Sequence, residues 1–417
     1  MKTSTQQSFL PFACVTALFV PSISAQTTDV HPRGIFDTPQ PGLDAPLART
    51  PADADDWSDK FHFSLSASVR SDGNIFLSDK GEESDVIFSV SPTLRYVSAE
   101  AGAAENTFAI SYTPNFQVYS ENTDRNNIGH SLSIRLDKSM PKTQIGFNLN
   151  YRKSSGSDRF VSGTIDRDSL SAGVTVSYLL SGKTRLNAGV NYDFDDFSNG
   201  SLFGNDTYAA NLGLSYQATG KISLGPYLSY RVSEMSAGSL DQDSVSYGMK
   251  GTYEVSGKTA IHGSVGYSVD SFDGASSASD HSSLVWRIGA SHALSSKTNI
   301  RASLYSGTKA SYSFADSGYL ATGVALSASH QLSSRLSCYV SGMYEQNDYF
   351  RASALGTSLD NDYYSIALGT RYQCASGLML GANISYSSNK SSSSTAAVGQ
   401  NDFDNLTFGV NASYDFW

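Results

Sequence analysis

Long apolar segments are missing from most of this 417-residue chain, and charged residues are scarce. Beyond the first 25 residues, no run approaches the roughly 18 apolar residues that a membrane helix needs, which argues against a helical membrane protein. Charged residues make up 16% of the chain, whereas an average soluble domain carries about a quarter. Three cysteines are too few for a disulfide scaffold. The abundant residues are instead glycine (35), tyrosine (24) and phenylalanine (21).

The first residues have the features of a secretory signal peptide, which we assign to residues 1–25. Lys2 precedes an apolar stretch from Phe9 to Val20, and small residues precede Gln26. Without Lys2 the chain has 28 basic and 39 acidic residues, a net charge of −11, which argues against nucleic acid as a partner. Residues 26–59 are rich in proline and aspartate, so we predict a flexible periplasmic segment. The alternative is that this segment acts as a plug inside a pore formed by the rest of the chain.

A short polar turn recurs along the chain at a nearly constant spacing of 37 to 42 residues. Such regularity indicates a repeat architecture. After each turn, apolar residues alternate with small polar residues, which is the period of a β-strand with two different faces. The turns are Pro141-Lys142-Thr143, Ser181-Gly182-Lys183-Thr184, Thr219-Gly220-Lys221, Ser256-Gly257-Lys258-Thr259, Ser295-Ser296-Lys297-Thr298, Ser333-Ser334-Arg335 and Ala375-Ser376-Gly377.

Two strands of about a dozen residues and one longer polar loop fit between consecutive turns, a length that suits a tilted membrane crossing. The predicted fold is therefore all-β: a transmembrane, antiparallel, up-and-down β-barrel of about 18 strands over residues 60–417. An even strand number places both termini and the short turns in the periplasm. A β-propeller has a similar period but builds each blade from four short strands. Strands are predicted to start near Phe61, Asp85, Asn106, Gly129, Thr143, Asp168, Thr184, Asp206, Lys221, Asp243, Thr259, His281, Thr298, Gly318, Arg335, Asn361, Gly377 and Asn401.

Tyrosines on the outward face recur about ten residues after each turn. At a common height they are predicted to form an aromatic girdle at the outer membrane interface. Outward positions in the strand centres carry no charged residue, as contact with lipid requires. The girdle residues are Tyr151, Tyr192, Tyr230, Tyr267, Tyr344 and Tyr386.

Basic residues occupy inward positions on many of the strands, so we expect a wet lumen with a basic wall. Such a wall favours anions by raising their local concentration. The alternative is that these residues pair with acids across the wall and only stiffen it. The inward acids, mostly near strand ends, are Asp137, Asp193, Asp195, Glu254, Asp270, Glu345 and Asp415. The predicted lumen-lining basic residues are Arg70, Arg95, Arg135, Arg152, Arg185, Arg231, Lys250, Arg287, Arg301 and Arg371.

Two segments resemble known outer-membrane proteins. The stretch from Ser71 to Tyr96 contains Asn74-Ile75-Phe76 and Ser91-Pro92-Thr93-Leu94, and it resembles the opening hairpin of the Putative beta-barrel porin 2 family. The alternating last strand ends in Tyr414, Phe416 and Trp417, which resembles the insertion signal of bacterial outer-membrane barrels. These resemblances imply an outer-membrane location, insertion by the barrel assembly machinery and, in some relatives, a link to exopolysaccharide export components.

The third and longest loop is predicted at residues 153–167. By analogy with porins, this loop would fold inward, narrow the pore and bring Arg159 and Arg167 to the constriction.

The sequence thus predicts a porin-like channel in contact with outer-membrane lipid, for passive passage of small hydrophilic or anionic solutes or of polysaccharide. A structural or surface-interaction barrel with a closed lumen is the alternative. We predict no catalytic function, because no Gly-x-Ser-x-Gly nucleophile turn lies between a strand and a helix. Histidine and cysteine spacings predict no metal site, and no cofactor is expected. Cys338 and Cys374 are predicted to be free thiols on the outward face, with a disulfide as the alternative.

Overall fold

The computed structural model describes residues 60–98, 106–198, 202–236, 241–273, 280–311, 316–351, 359–375, 377–393 and 402–416. The predicted signal peptide, the segment 26–59 and Trp417 lie outside these residues. Within them, no helix is both long and apolar enough to span a membrane.

Eighteen β-strands make up nearly all of the described chain. In the part of the chain that the structure describes, one 3-10 turn over Thr123–Arg125 lies between β3 and β4. The strands are β1 (Phe61–Asp72), β2 (Asp85–Val97), β3 (Asn106–Tyr119), β4 (Asn127–Ser139), β5 (Thr143–Asp158), β6 (Val161–Ser181), β7 (Thr184–Phe197), β8 (Asn205–Gln217), β9 (Ile222–Met235), β10 (Asp241–Ser256), β11 (Thr259–Asp273), β12 (His281–Ser295), β13 (Thr298–Ala310), β14 (Asp316–Gln331), β15 (Leu336–Arg351), β16 (Leu359–Ala375), β17 (Leu378–Ser393) and β18 (Phe403–Asp415).

The strands close into one antiparallel barrel. Each strand pairs with its neighbours in sequence, and β1 pairs with both β2 and β18. Closure leaves no sheet edge, so every strand finds backbone partners on both sides. The predicted up-and-down barrel of 18 strands is therefore confirmed. The first and last strands start and finish beside the short turns, since Ser64 pairs with Asp415. We call this side the short-turn end and the opposite side the long-loop end.

The two faces of the sheet differ as the period of two requires. Large apolar side chains such as Leu65, Phe88, Leu212 and Phe408 are exposed on the outside. Inward neighbours are mostly glycine, serine, asparagine and charged residues. The described residues form no central apolar core; instead, small apolar clusters lie near the long-loop end.

The largest departure from the predicted strand boundaries is at residues 153–167, which the sequence assigned to a polar loop. In the structure β5 and β6 run on as a paired hairpin, with Asp158 opposite Val161. The polar composition of these residues suggested a loop. They form strands all the same, because the two strands hydrogen-bond to each other and do not need an apolar face toward lipid.

Both cysteines outside the signal segment are free thiols, as predicted. Cys338 lies opposite Thr370 on the neighbouring strand, and Cys374 lies four residues further along. Four residues of strand span about 13 Å, which exceeds the separation of Cα atoms that a disulfide can bridge.

Candidate functional site

The tip of the β5–β6 hairpin lies inside the barrel. Asp158 and Arg159 are both buried, although they are 16 and 17 residues from Lys142 in the nearest short turn and belong to the long-loop end. The Asp158 carboxylate accepts a hydrogen bond of 2.8 Å from the backbone N–H of Phe160, which stabilises the tight turn. The Phe160 ring contacts Tyr319 on β14, with ring centroids 6.4 Å apart. The hairpin thus crosses the lumen to the opposite wall.

Glu345 on β15 receives the hairpin tip. Arg159 Nη2 donates to Glu345 Oε1 at 2.6 Å, and the two side chains are 2% and 0% exposed. The second carboxylate oxygen accepts from Tyr305 Oη at 2.7 Å and from Lys309 Nζ at 3.3 Å. The Arg159 guanidinium also lies over the Tyr363 ring, 4.6 Å from its centroid. We refer to Glu345 with Arg159, Tyr305 and Lys309 as the Glu345 cluster.

Tyr305 reaches Glu345 because Gly323 lies between them. The three residues are directly opposed on adjacent strands. A Cβ atom on Gly323 would lie 2.6 Å from the Tyr305 ring and hydroxyl, so only glycine lets the ring lie across the wall. On the other side of Tyr305, Arg287 is directly opposed, and its guanidinium lies 5.5 Å from the ring centroid. Arg287 and the Glu345 cluster are therefore adjacent on the inner wall.

The β1–β2 loop (73–84) supports the hairpin from the long-loop end. Its Leu77 side chain packs against the inner wall in a cluster with Tyr363, Phe403 and Met343. The carbonyl of Phe76 accepts a hydrogen bond of 2.7 Å from the N–H of Gly163, which lies just past the hairpin tip. The β1–β2 loop and the β5–β6 hairpin thus contact each other, and both contact the inner wall.

Burial along the lumen differs between the two ends. Inward side chains in the long-loop half, such as Ile87, Asp270 and Glu345, are fully buried. Inward side chains nearer the short-turn end, such as Arg185 and Asn383, remain partly exposed. The lumen is therefore narrowest in the long-loop half, where the hairpin tip lies.

The structure places all ten predicted basic residues on the inner face of the sheet. Each alternates with outward apolar neighbours, as Lys250 does with the exposed Met249. Several have carboxylate or other close partners: Arg70 lies 3.6 Å from Asp72, and Arg135 lies 2.5 Å from Asp137. Arg185 donates to Gln144 and Ser177. Lys250 is half-buried and its Nζ atom lies over Gly213. The ten are Arg70, Arg95, Arg135, Arg152, Arg185, Arg231, Lys250, Arg287, Arg301 and Arg371.

The structure also locates the two arginines of the predicted third loop. Arg159 reaches the narrow part of the lumen, but its charge faces Glu345 and not open water. Arg167 pairs with Asp195 at 2.6 Å on the neighbouring strand β7 and lies over the Phe197 ring. The proposed role of Arg167 in lining the constriction is therefore wrong, because its side chain fastens the hairpin base to the wall.

The predicted outward tyrosines have a shared partner that the sequence analysis missed. In five of the six, the phenol approaches an aspartate on the next strand, two positions beyond the directly opposed residue. The separation between oxygens is 2.5 to 3.5 Å. The pairs are Tyr151–Asp168, Tyr192–Asp206, Tyr230–Asp243, Tyr344–Asp362 and Tyr386–Asp404. Tyr267 differs because Ser282 occupies that position. The sequence carried a signal for these pairs: on the next strand, an aspartate lies two positions beyond the residue that is directly opposed to each of the five tyrosines.

Within the described residues, no cluster of histidine, cysteine, aspartate and glutamate has the arrangement of a metal site.

Comparison with known families agrees with this architecture. The model of the Gram-negative porin family matches residues 50–304, more than half of the chain. The chain belongs to the Gram-negative porin family. The model named Putative beta-barrel porin 2 matches residues 279–415. This match supports the predicted family, although it does not include the hairpin at Ser71–Tyr96 that carried the resemblance. Family membership makes this porin an outer-membrane channel protein.

The solved structures that show similarity to this chain are distant from it in sequence. OpdK from Pseudomonas aeruginosa, crystallised with vanillate, is 12% identical, with a TM-score of 0.47 over 86% of this chain and 99% of that chain. OccAB2 from Acinetobacter baumannii is 10% identical, with a TM-score of 0.46 over 86% and 99%. No curated protein matches the sequence.

Proposed function

We propose that this porin is a passive channel for small hydrophilic anions, with the hairpin tip and the Glu345 cluster as its constriction. The observation that supports the proposal is the local charge balance. Three cations, Arg159, Lys309 and Arg287, lie on this stretch together with two carboxylates, Glu345 and the buried Asp158 of the hairpin tip. Formal charges there sum to about +1, although the chain as a whole carries −10.

Local charge decides selectivity because a narrow, low-dielectric passage concentrates the field of the groups that line it. The acidic residues of the outer rim, such as Asp168 and Asp362, face outward from the barrel. Their field at the constriction is screened over about 8 to 10 Å of salt solution. The cations beside Tyr305 act on a passing solute at much shorter range.

The inserted hairpin favours small solutes over a polymer. A polysaccharide conduit would need an open lumen along its length, whereas Phe160 and Arg159 contact the opposite wall. The same burial supports the second candidate function, a barrel with a closed lumen and a structural role. Conductance in a planar bilayer separates these functions: stable steps support the channel, and a silent but folded barrel supports the structural role.

We also propose an orientation for the barrel in the outer membrane and partners for its assembly. The short-turn end, with both chain termini, would face the periplasm, and the long loops would face outward. The closing residues Tyr414, Phe416 and Trp417 would be the signal read by the barrel assembly machinery. A link to exopolysaccharide export components remains a prediction from family resemblance.

Ion selectivity is tested by replacing Arg287. We expect the unmodified porin to prefer chloride over potassium in a salt gradient, and Arg287→Ser to move the reversal potential toward neutrality. Arg287→Lys keeps the charge and should retain the preference. Reversal potentials in planar bilayers give the measurement.

The matched control is Lys153→Ser, which removes one positive charge from the outer face, where Lys153 pairs with Asp168. This variant should leave the reversal potential unchanged. Cation preference in the unmodified porin, or equal shifts in both serine variants, would show that the inner cations do not set selectivity.

A further inference from the structure

The repeated polar turn has a constant structure that channel function does not explain. In five turns a Ser or Thr hydroxyl accepts a hydrogen bond of 3.1 to 3.3 Å from the backbone N–H two residues later. That second residue is always Lys or Arg, and its side chain is exposed. The five cations are Lys183, Lys221, Lys258, Lys297 and Arg335. The turns therefore hold basic groups at one height around the short-turn end.

A second ring of aromatic side chains lies just inside these cations. Tyr178, Tyr216 and Tyr253 are exposed on the outer face, each five residues before a turn cation. His292 and His330 take the same position before Lys297 and Arg335. Aromatic rings at such a position mark a membrane interface. The turn cations thus lie at the depth of lipid headgroups.

Strand register supports this depth. Tyr178 lies opposite Leu186, which is six residues from the upper girdle residue Tyr192. The same six-residue offset separates Cys338, opposite His330, from Tyr344. Six residues of strand span about 20 Å, and the two rings bound the apolar outer face. The apolar band therefore ends at both sides in polar aromatic or histidine side chains.

A hollow in the outer face adjoins two of the cations. It has a volume of about 440 Å³, and its lining includes Thr298, His330, Cys338, Thr370, Ala382 and Phe408. Small side chains at Cys338, Thr370 and Ala382 make the depression, because each is directly opposed to the next across the strands. Thr298 directly follows Lys297 and is joined by a hydrogen bond of 2.8 Å to His330, which lies five residues before Arg335. The polar side of the hollow, formed by Thr298 and His330, is thus next to the turns that carry Lys297 and Arg335.

We propose that this hollow and its two turn cations, Lys297 and Arg335, bind an anionic phospholipid. The phosphate would lie between the two turns, which are about 10 Å apart across two strand spacings. Arginine is suited to bidentate contact with phosphate. An acyl chain would fill the hollow against Ala382 and Phe408. No described carboxylate pairs with either cation, so both are available to the headgroup.

Lipid binding does not depend on channel activity or on the orientation of the barrel, so it is tested on the folded porin in detergent. Native mass spectrometry would compare dioleoylphosphatidylglycerol with the zwitterionic dioleoylphosphatidylcholine. We expect retention of the anionic lipid in preference to the zwitterionic one. Each basic residue near a membrane contributes about fivefold in affinity for anionic lipid. The double variant K297Q/R335Q should therefore bind it about 25-fold more weakly.

Two further variants separate a site from a general effect of charge. Ala382→Phe fills the hollow without altering charge and should also weaken binding. Lys153→Gln with Lys390→Gln removes two charges at the long-loop end and should leave binding unchanged. Equal retention of both lipids, equal loss in the control, or no effect of Ala382→Phe would overturn the proposal. Dimers that disappear with Ala382→Phe would assign the hollow to a second copy of the chain and would likewise overturn it.

Discussion

Glu345 holds the inserted hairpin through a single side chain with three donors. Its carboxylate is completely buried and accepts hydrogen bonds from two cations and a phenol. A buried carboxylate without such partners would be strongly unfavourable, so the charged form depends on Arg159 and Lys309. Because Arg159 and Lys309 are bonded to Glu345, they are less available to a passing solute than they would be without the carboxylate. The carboxylate therefore influences both the position of the hairpin and the charge of the constriction.

Neutralising Glu345 should change conductance and selectivity together. Glu345→Gln keeps the shape of the side chain but loses charge-assisted hydrogen bonds worth about 1.5 to 3 kcal/mol each. We expect the hairpin tip to dissociate from the wall more often, which gives larger or noisier conductance steps. Anion preference should rise because the three nearby cations lose their counter-charge. Single-channel recording with reversal potentials in a salt gradient measures both effects.

Asp270→Asn provides the matched control, since Asp270 is an equally buried inward acid that bonds to Gln242 and Thr308 instead of the hairpin. Its conductance steps should be those of the unmodified porin. Identical changes in the two variants would mean that any lost inward acid has this effect, and the specific role of Glu345 would be rejected.

The inward direction of single residues was predictable from sequence, but their partners were not. Alternation alone places Arg287 and Glu345 on the inner face. The contact between Arg159 and Glu345 joins residues 186 positions apart and depends on how far the hairpin bends into the lumen. The alternative was that arginines pair with acids across the wall. Arg70 and Arg135 do pair with acids, but their partners are two residues away on the same strand. Those short-range pairs could have been predicted from the sequence.

At the scale of elements, the β5–β6 hairpin combines continuous strand pairing with a sharp change of direction. Gly163 has φ = 142°, a conformation that other residues adopt only with strain. Its N–H donates to the Phe76 carbonyl in the β1–β2 loop. Glycine at this position therefore fixes the course of the hairpin next to the segment that supports it.

Gly163→Val should release the hairpin tip. Strain of about 1 to 3 kcal/mol at one residue raises the population of a locally open form by about 5- to 150-fold. Arg159 is buried in the folded hairpin, so trypsin should cleave after it slowly in the unmodified porin and faster in the variant. Limited proteolysis with mass analysis of the fragments gives the rate.

Gly182→Ala is the control for this experiment, because it lies in a short turn where an added Cβ meets nothing within 4 Å. Cleavage after Arg159 should be unaffected there. If Arg159 is cleaved equally fast in all three proteins, the hairpin is not held inside the lumen in solution.

Sequence patterning predicted the strands well and the hairpin poorly. Strand starts at Thr143, Thr184 and Thr298 coincide with the structure because a turn and a two-residue period both mark them. Residues 153–167 lack outward apolar side chains, since this extension leaves the lipid zone and turns inward. A pattern that depends on contact with lipid cannot detect strands that are in contact with the lumen.

For the whole molecule, the two ends of the barrel carry opposite charges on their outer surfaces. Aspartates such as Asp206 and Asp404 accompany the girdle at the long-loop end, whereas Lys183 and Arg335 mark the short turns. The chain closes on itself at the short-turn end, where Phe416 N–H donates to the Phe63 carbonyl. The proposed orientation therefore places the basic ring and both termini at the periplasmic leaflet.

Orientation can be tested by labelling single cysteines in a background with Cys338→Ala and Cys374→Ala. Lys80→Cys lies in the β1–β2 loop and Lys183→Cys in a short turn, and both positions are exposed. With a maleimide on a polymer too large to pass the constriction, Lys80→Cys should be labelled on intact cells. Lys183→Cys should react only after the outer membrane is permeabilised, because its turn faces the periplasm. Labelling of Lys183→Cys but not Lys80→Cys on intact cells would reverse the barrel and move the phospholipid site to the outer leaflet.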